Sequence, residues 1–288
     1  MATIITNQAT LNYRYGGETA VTTVSNIAST VLDNLVEISK TALNPTYRMD
    51  DNITYIINVN NRGAAVDTIT VRDNLGTYTE EAAQYTPLTY GGVANLYING
   101  VLSNNLTVTT DANGVAFVIT GIPAGSNAQI IYQGRVNRFA DMECGGFITN
   151  TITAECDCLC NIEAEDSYTV AAECYADVGI FKSVCPNPII CGEELTYVFD
   201  IYNYGNIDAE DVVLTDTFDP ALADITVLVD GVEVPATNYT YVGGLLTLPA
   251  EGSGYTLTVP AATFARDEQT GEFLVNPGRL QITVKGTV

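Results

Sequence analysis

A chain of 288 residues, 47% hydrophobic, is long enough for two ordinary domains, each with a core of its own. It carries 11 basic against 34 acidic residues, a net charge of −23, a surface that repels nucleic acid and anionic membranes and excludes both as partners. There is no His, so Ser-His-Asp and Cys-His catalysis are excluded and the commonest metal ligand is missing.

The opening Met1-Ala2-Thr3-Ile4-Ile5-Thr6 has neither the basic region nor the apolar run of a secretory signal. Residues 4–14 and 20–32 read as two strands joined by Tyr15-Gly16-Gly17-Glu18. Val36-Glu37-Ile38-Ser39-Lys40 begins a new unit. Residues 53–59 mix β-branched and aromatic side chains and end at the turn Asn60-Asn61-Arg62-Gly63. Residues 67–73 alternate with period two. Further strands are predicted at 95–98, 106–109, 115–120 and 128–137, with turns at Asn99-Gly100, Asn113-Gly114 and Pro123-Ala124-Gly125. A second long pair is predicted at 147–158 and 167–177. Strands then follow at 195–205, 212–216, 224–229, 239–247, 255–259, 271–275 and 280–285. Gly16-Gly17, Gly91-Gly92, Gly145-Gly146 and Gly243-Gly244 read as turns, since none has phosphate-loop spacing. No window sustains a helical period, and none reaches the roughly 18 apolar residues of a membrane helix. Strands broken by turns every ~8–12 residues predict an all-β chain of immunoglobulin-like sandwiches.

The chain also repeats itself. Ile5-Thr6-Asn7 resembles Ile148-Thr149-Asn150 and, more loosely, Leu274-Val275-Asn276. Residues 53–63 match 195–205, and Lys40 matches Lys182, at an offset of 142. The expected organisation is an N-terminal strand segment 1–35, donated to a neighbouring subunit, a first repeat 36–177 and a second, incomplete repeat 178–288. The opening pair of strands looks like the end of a repeat with no sandwich of its own. The second repeat looks one strand short.

Lys40, Thr54-Tyr55-Ile56-Ile57-Asn58-Val59-Asn60-Asn61-Arg62-Gly63, Ile69-Thr70-Val71-Arg72-Asp73 and Ile148-Thr149-Asn150-Thr151 together resemble the bacterial and archaeal surface repeat called domain of unknown function 11. Lys182, 196–205, 212–216 and Asn276 repeat the pattern. The resemblance covers most of residues 36–288 and implies a surface-associated β-sandwich array. Two such repeats in a chain of this size are similar to the major subunits of clostridial spore appendages. The incomplete last repeat departs from the family pattern.

Two groups of residues carry candidate chemistry. In each repeat a Lys on a first strand, an Asp ending a middle strand and an Asn on a late strand recur: Lys40, Asp73, Asn150, and Lys182, Asp216, Asn276. A buried Lys loses its charge, and its amine can attack the Asn amide and expel ammonia beside a protonated Asp, leaving an isopeptide bond. The ordinary alternative is an exposed Lys, a turn Asp and a cross-strand Asn. The Lys40–Asn150 bond is favoured over the second. Asn7 matches Asn150, so a donated strand brings Asn7 to Lys182 of the receiving subunit.

The cysteines are Cys144, Cys156, Cys158, Cys160, Cys174, Cys185 and Cys191. Cys156, Cys158 and Cys160 fall on one face of a strand, but the spacing is not that of a zinc site. Cys185 and Cys191 flank a short Pro-containing loop as disulfide candidates. An odd count, with five cysteines at the junction of the repeats, predicts at least one disulfide between subunits from the Cys144–Cys174 group. No calcium loop, metal site or cofactor is expected.

The function expected from these features is that of a structural protomer of an extracellular or spore-surface fibre, not an enzyme. It polymerises head-to-tail by strand complementation, without a classical signal peptide. Its partners are copies of itself, with an anchoring protein on the spore or cell surface as a further partner. The alternative is a monomeric surface adhesin or surface-layer binding module.

Overall fold

The computed structural model describes residues 3–17, 19–32, 36–156, 162–188 and 190–288. Apart from one 3₁₀ turn at Ala236–Asn238, its regular elements are strands.

Four short strands form the opening ribbon: β1 (Thr3–Asn7), β2 (Thr10–Tyr13), β3 (Val21–Val24) and β4 (Ala28–Leu32). β1 pairs antiparallel with β4 and β2 with β3, around a Gly16-Gly17 turn at φ 56° and 82°. Among the described residues the ribbon pairs with itself and not with the sheets that follow.

The first sandwich runs from β5 (Val36–Ala42) and β6 (Thr46–Tyr47) to β7 (Asn52–Asn61), β8 (Val66–Asp73), β9 (Tyr78–Glu80) and β10 (Ala83–Tyr85). It continues with β11 (Leu88–Ile98), β12 (Val101–Ser103), β13 (Leu106–Asp111), β14 (Gly114–Ile122), β15 (Asn127–Val136), β16 (Phe147–Cys156) and β17 (Ile162–Ala172). One sheet has the order β12-β11-β15-β7-β5, the other β13-β14-β8-β16-β17-β6. Alternation drives the layering. On β7, Ile53, Tyr55, Ile57 and Val59 are buried while their neighbours are half-buried. They meet Ile69, Val71, Phe117, Ile119, Ile152 and Ala154 of the facing sheet. Asn99-Gly100 makes the β11–β12 turn with φ 50° and 80°, the left-handed pair that a two-residue hairpin requires.

The second sandwich is smaller. It comprises β18 (Val178–Cys185), β19 (Glu194–Asn203), β20 (Leu214–Thr217), β21 (Ala223–Val229), β22 (Val232–Glu233), β23 (Thr240–Val242), β24 (Leu245–Leu248), β25 (Thr263–Arg266), β26 (Phe273–Asn276) and β27 (Gly278–Thr287). One sheet has the order β18-β19-β27-β21-β22, the facing one β20-β24-β23. A separate core of Leu195, Phe199, Ile201, Val227, Leu246, Leu248, Ile282 and Val284 lies between them.

Three expected strands are corrected. The partner of β16 ends at Ala172 rather than running over 167–177, because residues 173–177 cross between the sandwiches. There Glu173 N donates to Tyr47 O at 2.9 Å and Tyr175 N to Asn206 Oδ1 at 2.9 Å. Residues 239–247 split at Gly243-Gly244 into β23 and β24. Residues 255–259 contribute one bridge, Ala209 to Val259, and no strand.

The β25–β26 hairpin reaches back onto the first sandwich. Arg266 donates to the Tyr78 hydroxyl and pairs with Glu80, both at 2.7 Å, and lies over the Tyr85 and Phe273 rings at 4.1 and 4.3 Å. Phe273 N donates to Arg138 O at 2.7 Å. Asn206 Nδ2 donates to both Met142 O and Glu173 O at 2.8 Å.

Candidate functional site

The first Lys-Asp-Asn trio converges in the core of the first sandwich. Lys40 lies on β5, Asp73 closes β8 and Asn150 lies on β16, which pairs with β8 so that Ile152 faces Asp73. All three are buried. Lys40 Nζ donates to Asp73 Oδ2 and, at 2.8 Å, to the Tyr132 hydroxyl, which itself donates to Asp73. Asn150 Nδ2 donates to the same hydroxyl at 3.1 Å, so a single oxygen bridges the amine and the amide. Asn150 Oδ1 accepts from Gly76 N at 3.2 Å. The Tyr55 ring lies 4.7 Å from Nζ.

Burial pushes the Lys40 amine below the ordinary lysine range, against the opposing pull of Asp73. Burial, then Asp73, pushes the Tyr132 phenol well above its ordinary range, so Tyr132 stays a neutral donor. This arrangement can carry acyl transfer. In such a transfer the amine would be the nucleophile, with Asp73 placed to exchange its proton. The Gly76 N–H meets the amide oxygen where charge develops.

Tyr132 and Gly76 were not singled out from the sequence. Tyr132 is in phase with the inward Ala128 and Ile130 of β15, and Gly76 closes the Asn74-Leu75-Gly76 turn after β8 at φ 73°. Those were the available signals. Neither says that the two residues meet Asn150.

The second trio does not assemble. Lys182 Nζ lies 2.5 Å from Asp216 Oδ2, over the rings of Tyr197 at 4.7 Å and Phe218 at 5.2 Å. Asn276 is exposed on β26, where its nearest polar contact is Thr263 Oγ1 at 3.4 Å. The late strand that carries it pairs with β25 in the hairpin bound to the first sandwich, so Asn276 is not delivered to Lys182. Val284 occupies the place of Tyr132, since it pairs with Tyr197 as Tyr132 pairs with Tyr55. The Lys40 side chain is 0% exposed and the Lys182 side chain 39%. Asn7, the remaining candidate, is exposed on the opening ribbon.

Cys144 and Cys174 form a disulfide within the chain, which takes both away from the expected link between subunits. Cys156 is disulfide-bonded as well. Cys158 and Cys160 lie outside the described residues. Cys185 and Cys191 are free, exposed thiols rather than a loop-closing pair. Among the described residues no His, Cys, Asp or Glu group could hold a metal ion, and no helix is long and apolar enough to cross a membrane.

No family model matches the chain, the domain-of-unknown-function-11 repeat included, and no curated protein matches it. Solved structures do. BcpA, the major pilin subunit of Bacillus cereus, is 12% identical over 96% of this chain and 73% of its own, with a TM-score of 0.39. The 35 kDa C-terminal fragment of the major pilin GBS80 of Streptococcus agalactiae is 12% identical over 87% of this chain and 91% of its own, with a TM-score of 0.38. The collagen-binding domain of a Staphylococcus aureus adhesin is 13% identical over 49% of this chain and 99% of its own, with a TM-score of 0.31.

Proposed function

We propose that this chain is the structural protomer of a self-assembling extracellular or spore-surface fibre, built head-to-tail by β-strand complementation and reinforced by covalent bonds within each subunit. The observation that carries this reading is the opening ribbon. It aligns in sequence with the β16–β17 hairpin, yet Leu11, Tyr13, Tyr15, Val24 and Ile27 are all exposed on it. Bare apolar strands of this kind are normally covered, and an unpaired sheet edge is the cover they fit. Because the donor and the edge are different parts of the protomer, the contact is heterologous and propagates unless it closes into a ring.

The Lys40 site supports the covalent part. Attack of Nζ on Asn150 Cγ forms an amide and releases Nδ2 as ammonia, with Asp73 relaying the proton. The bond joins β5 of one sheet to β16 of the other and so ties the two layers of the sandwich together.

Electron microscopy of the purified chain tests the assembly reading. Fibres are expected from residues 1–288 and none from residues 36–288, with both proteins folded by circular dichroism. Fibres of normal length from the shorter protein would overturn it.

A further inference from the structure

Resting on that fibre reading, we infer that the exposed Lys182–Asp216 pair is an acceptor site for Asn7 of a second copy of this chain. The opening ribbon docks on the free edge of β20 in one defined register, and an isopeptide bond then forms between subunits.

The first sandwich supplies the template. There β8 is paired on both sides, by β14 and by β16. Among the described residues its counterpart β20 is paired by β24 alone and lies at the edge of its sheet. The place left open is that of β16, and residues 5–13 align with residues 148–156 of β16. Transferring the pairing of Ile152 with Asp73 sets Ala9 opposite Asp216, Thr10 opposite Thr215 and Leu11 opposite Leu214.

Period two then puts Asn7, Ala9, Leu11 and Tyr13 on one face, toward the core, as Asn150, Ile152, Ala154 and Cys156 are in the first sandwich. A slip of one residue would turn Asn7 outward and Gln8 inward, so burial of Leu11 and Tyr13 holds the register.

The receiving surface is correspondingly bare. Val36 on β5 is 2% exposed, whereas its counterpart Val178 on β18 is 45% exposed. Ile180, Phe181 and Val184 on the same strand are exposed too. The difference is the cover that β16 and β17 give to the first sandwich. Lys182 shows the same contrast with Lys40.

Asn7 stands two residues before Ala9, as Asn150 stands two before Ile152, and so arrives at the Lys182–Asp216 pair. Docking encloses the pair as β16 and β17 enclose Lys40 and Asp73, whose side chains are fully buried. The Lys182 amine attacks Asn7 Cγ. The Nζ–Cγ bond forms, the Cγ–Nδ2 bond breaks, and Asp216 relays the amine proton to Nδ2, which leaves as ammonia. No oxidant or cofactor is consumed.

The test uses the full chain and two variants, Asn7→Ala and Lys182→Arg. Both positions are exposed, so neither substitution disturbs a core. Wild-type fibres boiled in detergent with reductant are expected to give a ladder of covalent multimers, each junction lighter by one ammonia. Peptide mass spectrometry is expected to find the Asn7 peptide joined to the Lys182 peptide. Each variant alone is expected to form fibres that dissolve fully to monomer. A mixture of the two is expected to yield covalent dimers and nothing larger, because only one donor–acceptor combination remains. Fibres of wild type that dissolve to monomer, or a ladder that survives Asn7→Ala, would overturn this inference and leave strand complementation standing. Loss of a second ammonia, beyond the one released by the Lys40–Asn150 bond, without multimers would mean that the Asn7–Lys182 bond closes within one chain, which also overturns it. Absence of fibres altogether would sink the fibre reading itself.

Discussion

At the scale of single residues, Lys40 sets the chemistry of the first sandwich. A lysine without exposed side chain, held by one carboxylate and one phenol, is a costly group to bury unless its charge is shared or removed. Asn150→Ala leaves that cost in place and removes the amide. The variant is expected to keep its full mass while the wild type is lighter by one ammonia. A crosslink closing a loop of about 100 residues restricts the unfolded chain by about 4–5 kcal/mol, and the variant is expected to lose that much in urea unfolding. The variant also exposes the titration of the amine. Because burial lowers the folded pKa of Lys40 below its ordinary 10.5, the unfolded state binds more protons between the two values. Stability therefore rises with pH across that window. The rise ends near 10.0, where unfolded tyrosines ionise while Tyr132, pushed up by burial, stays neutral. Stability that falls as the pH approaches 10 from below would contradict this.

At the scale of elements, the hairpin of β16 and β17 is the piece that finishes a sandwich. It pairs with β8 through five residues, Ile152 to Cys156, and covers β5, where Lys40 N donates to Asp166 at 2.7 Å. Just beyond it the Cys144–Cys174 disulfide closes a separation of 30 residues beside the crossing to the second sandwich. The chain-entropy estimate for a loop of that size is about 3–4 kcal/mol. Replacing both cysteines by Ala is expected to lower the stability of the first sandwich by that amount, measured by thermal unfolding. An unchanged midpoint would mean that the joint is held by Arg266 and Asn206 without the disulfide.

At the scale of the whole molecule, each hairpin completes the sandwich that precedes it in the array. β16 and β17 complete the first and lead directly into β18. In the proposed fibre the opening ribbon would do the same for the second sandwich of the preceding subunit. The contacts made by Arg266, Asn206 and Phe273 belong to the junction within a chain, and these residues fall in β25, β26 and the loop after β19. A net charge of −23 on every protomer opposes approach of successive copies. Screening shortens that repulsion to about 8 Å at ~0.15 M ionic strength. Fibre growth followed by light scattering is therefore expected to accelerate as salt rises from ~0.01 M toward ~0.15 M. Slower growth at the higher salt would show that attraction between charges drives docking instead.

The β-branched and aromatic content of 53–59, the period-two alternation of 67–73, and turns such as Asn99-Gly100 determined the strands and the all-β class, because these signals are local. The likeness of Ile5-Thr6-Asn7 to Ile148-Thr149-Asn150 also marked the opening segment as resembling β16. The recurring Lys-Asp-Asn spacing named Lys40, Asp73 and Asn150, which do converge, but it could not tell that the second trio would fail to assemble or that Tyr132 and Gly76 would join the first. Lys40, Asp73 and Asn150 share a spacing pattern with Lys182, Asp216 and Asn276. Asn276 is nevertheless carried away on a hairpin that packs against Tyr78, Tyr85 and Arg138. Tyr132 enters the first site and Val284 replaces it in the second through cross-strand register. The pairing of Cys144 with Cys174, and the free state of Cys185 and Cys191, follow from where chain crossings bring sulfur atoms together. Contacts between distant segments depend on packing of whole sheets, and a residue's neighbours along the chain carry no record of them.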